Sequence, residues 1–416
     1  MKAEKRDVSL IVTAALAALT VVPTGSCEVT PHAVPATVRD SASIRIVEHQ
    51  AEPGALATWR LSETPQAVIG ALQDEAAHQF TEVRGAVRLS SGRIVVADWG
   101  TREARYFDAQ GNHVRTVGGG GQGPGEVRFL YAVDRVRGDT LVVGGWPIGS
   151  RYWFDENGEH VRDEALGPWF PGMLGRTLPD GHLIIDTFEF GSYGNTIERW
   201  VVDADLADLR PEGVIELVAS SGDVVDTISV IRGQRHHKAG TWPRVAALAL
   251  PFSPVSLVAW SADRVYVGHT EEPEVRAYDL HGQLHTIIRW APRPVPVSAQ
   301  DRQSFATNLI DKSRRPEMVP VYNRWLSEIE FPEFKPVFAA LIADDAGYLW
   351  IRDSAPGDAA TWHWTIHGPD GVAVARMETV AGLDLLDVDR THAIGKLTDT
   401  LGIERVHSYP VNRSRE

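Results

Sequence analysis

Residues 93–126, RIVVADWGTREARYFDAQGNHVRTVGGGGQGPGE, constrain the fold more than any other stretch of this chain, because they read as three short strands, two tight turns and a glycine-rich exit loop. IVVAD is rich in β-branched residues and alternates little, as a strand buried on both faces does, whereas EARYFD and HVRTV alternate like half-exposed strands. Ser91-Gly92 and Gln110-Gly111-Asn112 flank these runs, and glycine supplies the positive φ that hairpin turns need. Strand character therefore shifts from interior to exterior along one unit.

The unit recurs. A second copy runs from Val133 through DTLVVGG and SRYWFDENGEHV to Leu166, with FDENGEHV matching FDAQGNHV almost position for position. The third contains LPDGHLIID and ERWVVDADLADL and ends around VVDTISVI; the fourth is LVAWSADRVYVGHTEEPEVRAYDLHGQLHTIIRW. The fifth joins ALIADDAGYLWIRD to WHWTIHGPDGVAVARM, and the sixth is the degraded C-terminal HAIGKLTDTLGIERVHSYPV, which a strand at Ala57 to Leu61 is expected to complete. A ring closed with strands from both ends leaves no open edge. The expected fold is all-β, a six-bladed β-propeller with a short helical insertion between blades 4 and 5, and the repeat length suits one blade per unit.

With its FDxxG turns and the loop Gly121-Gln122-Gly123-Pro124-Gly125-Glu126, the chain resembles bacterial six-bladed propellers with NHL-like repeats, and the loop resembles the GxGPGE signature of exported propeller lipoproteins. The resemblance spans nearly all of the mature chain and implies a fold and a compartment more than an activity.

The N-terminus gives the address. Lys2, Lys5 and Arg6 precede the apolar run Leu10 to Val22, which is short for a bilayer span and reads as a secretory signal. Cys27, the one cysteine in 416 residues, follows Thr24-Gly25-Ser26 and resembles a lipobox cysteine that is lipidated after cleavage, although Thr24 stands where leucine is usual. Ordinary cleavage of a small-x-small site is the alternative. The expected organisation is a signal peptide over 1–26, a lipid-anchored tether over 27–56 with several prolines and small residues, and a propeller over 57–416, in the periplasm or on the outer surface. A lone cysteine forms no internal disulfide, so the core must hold the fold; 43% hydrophobic residues and 13 Trp supply it. A net charge of -14 leaves no basic stripe for phosphates, which argues against a nucleic-acid partner.

Between the fourth and fifth units, Ser298-Ala299-Gln300-Asp301 has capping-box spacing and opens one helix, and a second runs from Val319 to Ile329. The insertion emerges on the rim where the second strands end, either roofing the channel mouth or packing outside a blade. That rim is expected to carry Asp98, Trp99, Trp146, Asp186, His269 and Asp353. Carboxylates accept hydrogen bonds or bind calcium and tryptophan faces stack on apolar rings, so the set is a candidate site for a small molecule, glycan, peptide or protein ligand, or a cation; turn capping and inter-blade packing are the structural alternatives.

Catalytic motifs are weak. Gly118, Gly120 and Gly123 satisfy GxGxxG but lead into another strand, so no helix N-terminus awaits a pyrophosphate. His236-His237 are adjacent and point to opposite faces of an extended segment, and no Gly-x-Ser-x-Gly elbow occurs. His363 and His367 share a strand face without a metal-binding spacing. Two functions follow: a membrane-tethered, non-catalytic binding propeller, or a calcium-dependent hydrolase or lyase of the gluconolactonase-like kind, for which Glu82, Asn195 and Asp263 are candidate oxygen donors.

Overall fold

The computed structural model describes residues 36–49, 56–71, 76–121, 123–127, 130, 132–144, 148–170, 173–178, 180–188, 208–241, 244–311 and 315–413. Cys27 and the signal segment, Trp146 and Asn195 lie outside them.

Six antiparallel sheets are arranged as the blades of a propeller. Blade 1 comprises Val83–Arg88, Ile94–Asp98, Glu103–Phe107 and His113–Gly118; blade 2 comprises Ala132–Val136, Thr140–Gly144, Ile148–Phe154 and His160–Phe170. Blade 3 comprises Met173–Thr177, Leu183–Phe188, Glu212–Val218 and Val224–Arg232, and blade 4 comprises Ser256–Trp260, Arg264–His269, Glu274–Asp279 and Leu284–Trp290. Blade 5 comprises Phe338–Ala343, Leu349–Asp353, Thr361–His367 and Ala373–Val380. Blade 6 comprises Asp384–Val388, His392–Thr398 and Glu404–Asn412. The first strands of the blades wall a central channel. In blade 1 the second strand, Ile94–Asp98, is buried at every position, as its unbroken apolar run predicts.

Ring closure differs from expectation in register. Ala67–Ile69 is the fourth strand of blade 6 and pairs antiparallel with Val406–Ser408. The stretch from Ala57 to Leu61 instead straddles two blades: Arg60 and Leu61 pair with the end of blade 6, while Ala57 and Thr58 run parallel to Ala375 and Arg376 of blade 5. The reason is burial, since Ala67 and Ile69 enter the apolar layer of Val83, Ala86, Ile94, Val96 and Phe107 between blades 6 and 1.

A second correction concerns the tether. Ala36–Ser41 and Ile44–His49, assigned to it by composition, form a hairpin whose inner strand runs parallel to Leu284–Trp290 on the outer edge of blade 4. IRIV supplies the β-branched alternation that lets this segment cover an edge. A third concerns blade 3, whose third strand is Glu212–Val218; Asp208 and Leu209, the end of ERWVVDADLADL, pair instead with a separate hairpin, His236–Thr241 with Arg244–Ala249.

The FDxxG turns explain the repeat. Asp108, Asp155 and Asp279 each accept hydrogen bonds from the amides two and four residues ahead, holding Gly111, Gly158 and Gly282 at positive φ. These glycines also lack room for a side chain: a Cβ on Gly111 would press on Ile69 of blade 6, one on Gly158 on Tyr106 and Arg115 of blade 1, and one on Gly282 on Thr227 and Ile228 of blade 3. Each turn therefore sits flush on the preceding blade.

Gly371 plays the same part for blades 4 and 5, where two histidines meet. His49 Nε2 and His367 Nδ1 lie 3.3 and 3.1 Å from the Gly371 carbonyl, their rings 5.2 Å apart edge to face. Burial lowers the pKa of His49, and burial together with His49 lowers that of His367 to about 3. An unfolded histidine titrates near 6.5, so between pH 6.5 and 3 the unfolded chain binds more protons and stability falls as pH drops. Calorimetric melts from pH 7.5 to 4.5 should show this decline, and it should flatten in His367→Gln; an unchanged slope would remove the pair as its cause.

Candidate functional site

Cross-strand register fixes which residues share a rim. Asp98, Asp186, His269 and Asp353 oppose Val83, Met173, Ser256 and Phe338, in each case the first residue of the blade's innermost strand. The four thus occupy equivalent positions in blades 1, 3, 4 and 5. Their surroundings separate them.

Asp98 is fully buried and its carboxylate accepts from three backbone amides, Thr81 at 3.1 Å, Glu82 at 2.9 Å and Gly100 at 3.1 Å, with the Arg105 guanidinium 3.5 Å away. Arg105 in turn donates to the Ala77 and Gln79 carbonyls and to Glu103, so the acid and the arginine together tie the entry loop of blade 1 to its second and third strands. Trp99, next in sequence, lies under the Arg84 guanidinium at 5.8 Å, and Arg84 is paired with Glu82. His269 accepts from Arg210 Nη2 at 2.5 Å; burial and that cation hold its pKa below the usual value, leaving a neutral ring. Asp353 is part-buried at the end of its strand, and Asp186 lines the channel.

Apart from Asp186, the residues that line the channel were not singled out in the sequence. Its cavity of about 390 Å³ is walled by the first strand of every blade, mostly through Ala86, Val87, Val133, Val258, Leu341 and Leu386. Into this apolar wall come five charged side chains, Arg84, Asp134, Arg176, Asp186 and Asp387. Asp134 accepts from the Thr177 amide at 2.7 Å, and Asp387 from the Arg88 amide at 3.0 Å, so each carboxylate fastens its blade to the next. Burial raises both, Asp387 to about 6, where Asp389 and Asp345 add repulsion against the pull of Arg135. The sequence held one signal for them, an aspartate inside each of the short apolar stretches YAVDRV and LDLLDV, but only closure of the ring places both in one lumen.

Other elements rise on the rim where the second strands end. Helix Ala299–Asp311 begins with the expected cap: the Ser298 hydroxyl accepts from the Asp301 amide at 3.1 Å, and Asp301 accepts from the Ser298 amide at 3.0 Å. Asp301 also binds Lys335 at 2.6 Å in a nearly buried ion pair. Helix Val319–Glu328 packs on the His236–Thr241 hairpin, with Trp325 Nε1 donating to His237 Nδ1 at 2.9 Å and Phe305 bridging Trp325, Phe252 and Phe331. The GPGE loop folds on itself, Glu126 accepting from the Gly123 amide at 2.7 Å, and Gly125 abuts His160 of blade 2.

The oxygen donors considered for calcium do not converge. Glu82 enters blade 1 on the rim of Asp98, whereas Asp263 lies at the opposite rim, in the turn between the first two strands of blade 4, its side chain 77% exposed. Among the described residues, no three His, Cys, Asp or Glu side chains are grouped so as to hold a metal ion.

No family model matches the sequence, and no curated protein matches it. Similar solved structures include a candidate exported protein from Bacteroides fragilis, at 11% identity and TM-score 0.47, covering 88% of this chain and 99% of the other. A member of the DUF4221 family from Bacteroides vulgatus, at 9% identity and TM-score 0.44, covers 86% and 100%. Regucalcin, a calcium-binding protein from Agrobacterium tumefaciens, at 13% identity and TM-score 0.40, covers 84% and 97%.

The position of Asp98 makes a stability prediction. Asp98→Ala strands three amides and removes one of the two acids beside the buried Arg105, and should cost roughly 3 kcal/mol in urea unfolding, one for each unpaired amide. A loss below about 1 kcal/mol, the net worth of one ordinary hydrogen bond, would show that the carboxylate does not hold the loop.

Proposed function

We propose that the protein is an exported propeller, tethered to a membrane through lipidated Cys27, and that it acts as a non-catalytic binding module whose ligand is a small molecule, glycan or peptide segment entering the central channel from the rim of Asp186 and Trp99. The observation that carries this reading is the channel wall: a concave, mostly apolar cavity with a few charged groups at fixed heights is the usual form of a small-ligand site. Asp387 supports it further, because a carboxylate kept in an apolar wall with its pKa near 6 works against stability at neutral pH, and such perturbed groups cluster at functional sites. Export and tethering rest on the N-terminal signal and the lipobox-like Thr24-Gly25-Ser26-Cys27. Among the described residues no helix is long and apolar enough to cross a membrane.

Two experiments test the reading. Thermal melts of the purified protein against a panel of sugars, amino acids and short peptides should find a stabilising ligand, and Ala343→Phe, which fills the channel from blade 5, should abolish the shift while the protein stays folded. Retention of the full shift in that variant would place the ligand elsewhere, and a calcium-dependent shift lost with Asp134→Asn or Asp387→Asn would replace this reading with the metal-dependent hydrolase. For the tether, mass spectrometry of the membrane fraction should find an acylated N-terminal Cys27, and Cys27→Ala should move the protein to the soluble fraction; an unmodified, soluble wild type would refute lipidation.

A further inference from the structure

At the rim opposite Asp98, where the first and second strands of each blade turn, a cavity of about 320 Å³ opens between blades 1, 2 and 3. Ser90, Arg135, Gly138, Asp139, Arg176 and Thr177 line it. Its donors are unusually unspent. Thr177 is 1% exposed, yet its hydroxyl has no hydrogen-bond partner among the described residues, while its own amide is held by Asp134. A buried hydroxyl without a partner is destabilising, and valine would fill the same space in this strand without that cost.

The two guanidiniums are in a similar state. Arg135 has acids only at 3.9 Å (Asp139) and 3.8 Å (Asp345), beyond hydrogen-bonding distance, and its side chain is 24% exposed. Arg176 places one N–H on the Trp260 carbonyl at 3.2 Å. By contrast the acid in the cavity is committed: Asp139 Oδ2 accepts from the Ser90 amide at 2.8 Å and also from the Ser90 hydroxyl. The wall at Gly138 is open, with nothing within 4 Å of where a Cβ would stand.

We propose that this cavity, which meets the channel at Arg176, is a binding site for a small organic carboxylate, with Arg135 and Arg176 gripping the two oxygens and the Thr177 hydroxyl donating to one of them. A planar carboxylate matches the fork of a guanidinium. Charge ranks it above phosphate, because Asp134, Asp139, Asp345 and Asp387 outnumber these two cations and repel a dianion more than a monoanion, so the affinity comes from the directed hydrogen bonds of the guanidiniums and the hydroxyl. A ligand carboxylate would give the orphaned hydroxyl its partner and put the unspent guanidinium donors to use.

Isothermal titration of the purified full chain with acetate and propionate, alongside propionamide and inorganic phosphate, tests this. Saturable binding of a carboxylate but not of propionamide is expected, weakened at least tenfold by Arg135→Gln or Arg176→Gln and several-fold by Thr177→Val. Thr177→Val should also melt at the same or a higher temperature, since it removes an unpartnered hydroxyl, and this separates lost binding from lost folding. Failure of both carboxylates to bind at millimolar concentration, preference for phosphate, or binding indifferent to Arg135 and Thr177 would each overturn the proposal.

Discussion

The structure depends on the contact between one blade's last turn and the outer strand of the blade before it. An aspartate takes two amides of the turn, a glycine at positive φ flattens it, and the neighbouring strand leaves no space for a side chain there. The full contact is made at Gly111, Gly158 and Gly282, and Gly371 makes it without the aspartate, so it spaces blades 6 and 1, 1 and 2, 3 and 4, and 4 and 5. For blade 1 the preceding outer strand is Ala67–Ile69, so this contact is also what the N-terminal segment must complete. The layer of Ala67, Ile69, Val83, Ile94, Phe107 and Val406 would otherwise face water, which gives apolar burial a direct role in joining the two ends of the chain.

A second set of contacts works on the lumen side. Asp134 reaches the Thr177 amide of blade 3, Asp387 the Arg88 amide of blade 1, and Asp139 the Ser90 amide of blade 1. Turns tie the blades at the periphery, and carboxylates on or just after the inner strands tie them at the axis. The peripheral ties are made largely in water and cost little. The ties of Asp134 and Asp387 are made where desolvation raises the carboxylate pKa, and a structure would keep such groups more readily if the lumen has a second use.

Much of the fold was legible because its causes are local. The buried run IVVAD, the FDxxG turns and the Ser298–Asp301 cap each depend on residues within one turn or strand of each other, and the structure repeats them nearly as written, whereas EARYFD, read as alternating and half-exposed, is buried from Ala104 to Phe107. The misplacements came from pairings made at long range. ATWRL is as strand-like as AVI, and only the apolar layer between blades 6 and 1 selects Ala67–Ile69 as the closing strand. Likewise IRIVEH lies within a stretch that composition assigns to a tether, until Leu284–Trp290 offers it an edge.

The candidate site divides along the same line. Sequence alone determined that Asp98, Asp186, His269 and Asp353 stand at equivalent strand ends, because a hairpin repeat with a period of two along each strand fixes which residues share a rim. It could not decide what their side chains meet. Tertiary structure buried Asp98 among three amides, set Arg210 against His269, brought Asp134 and Asp387 into one lumen and left the Thr177 hydroxyl without a partner. Register is a property of neighbours along the chain. Desolvation and charge balance depend on every group within a few ångströms, and here those groups are separated by up to hundreds of residues.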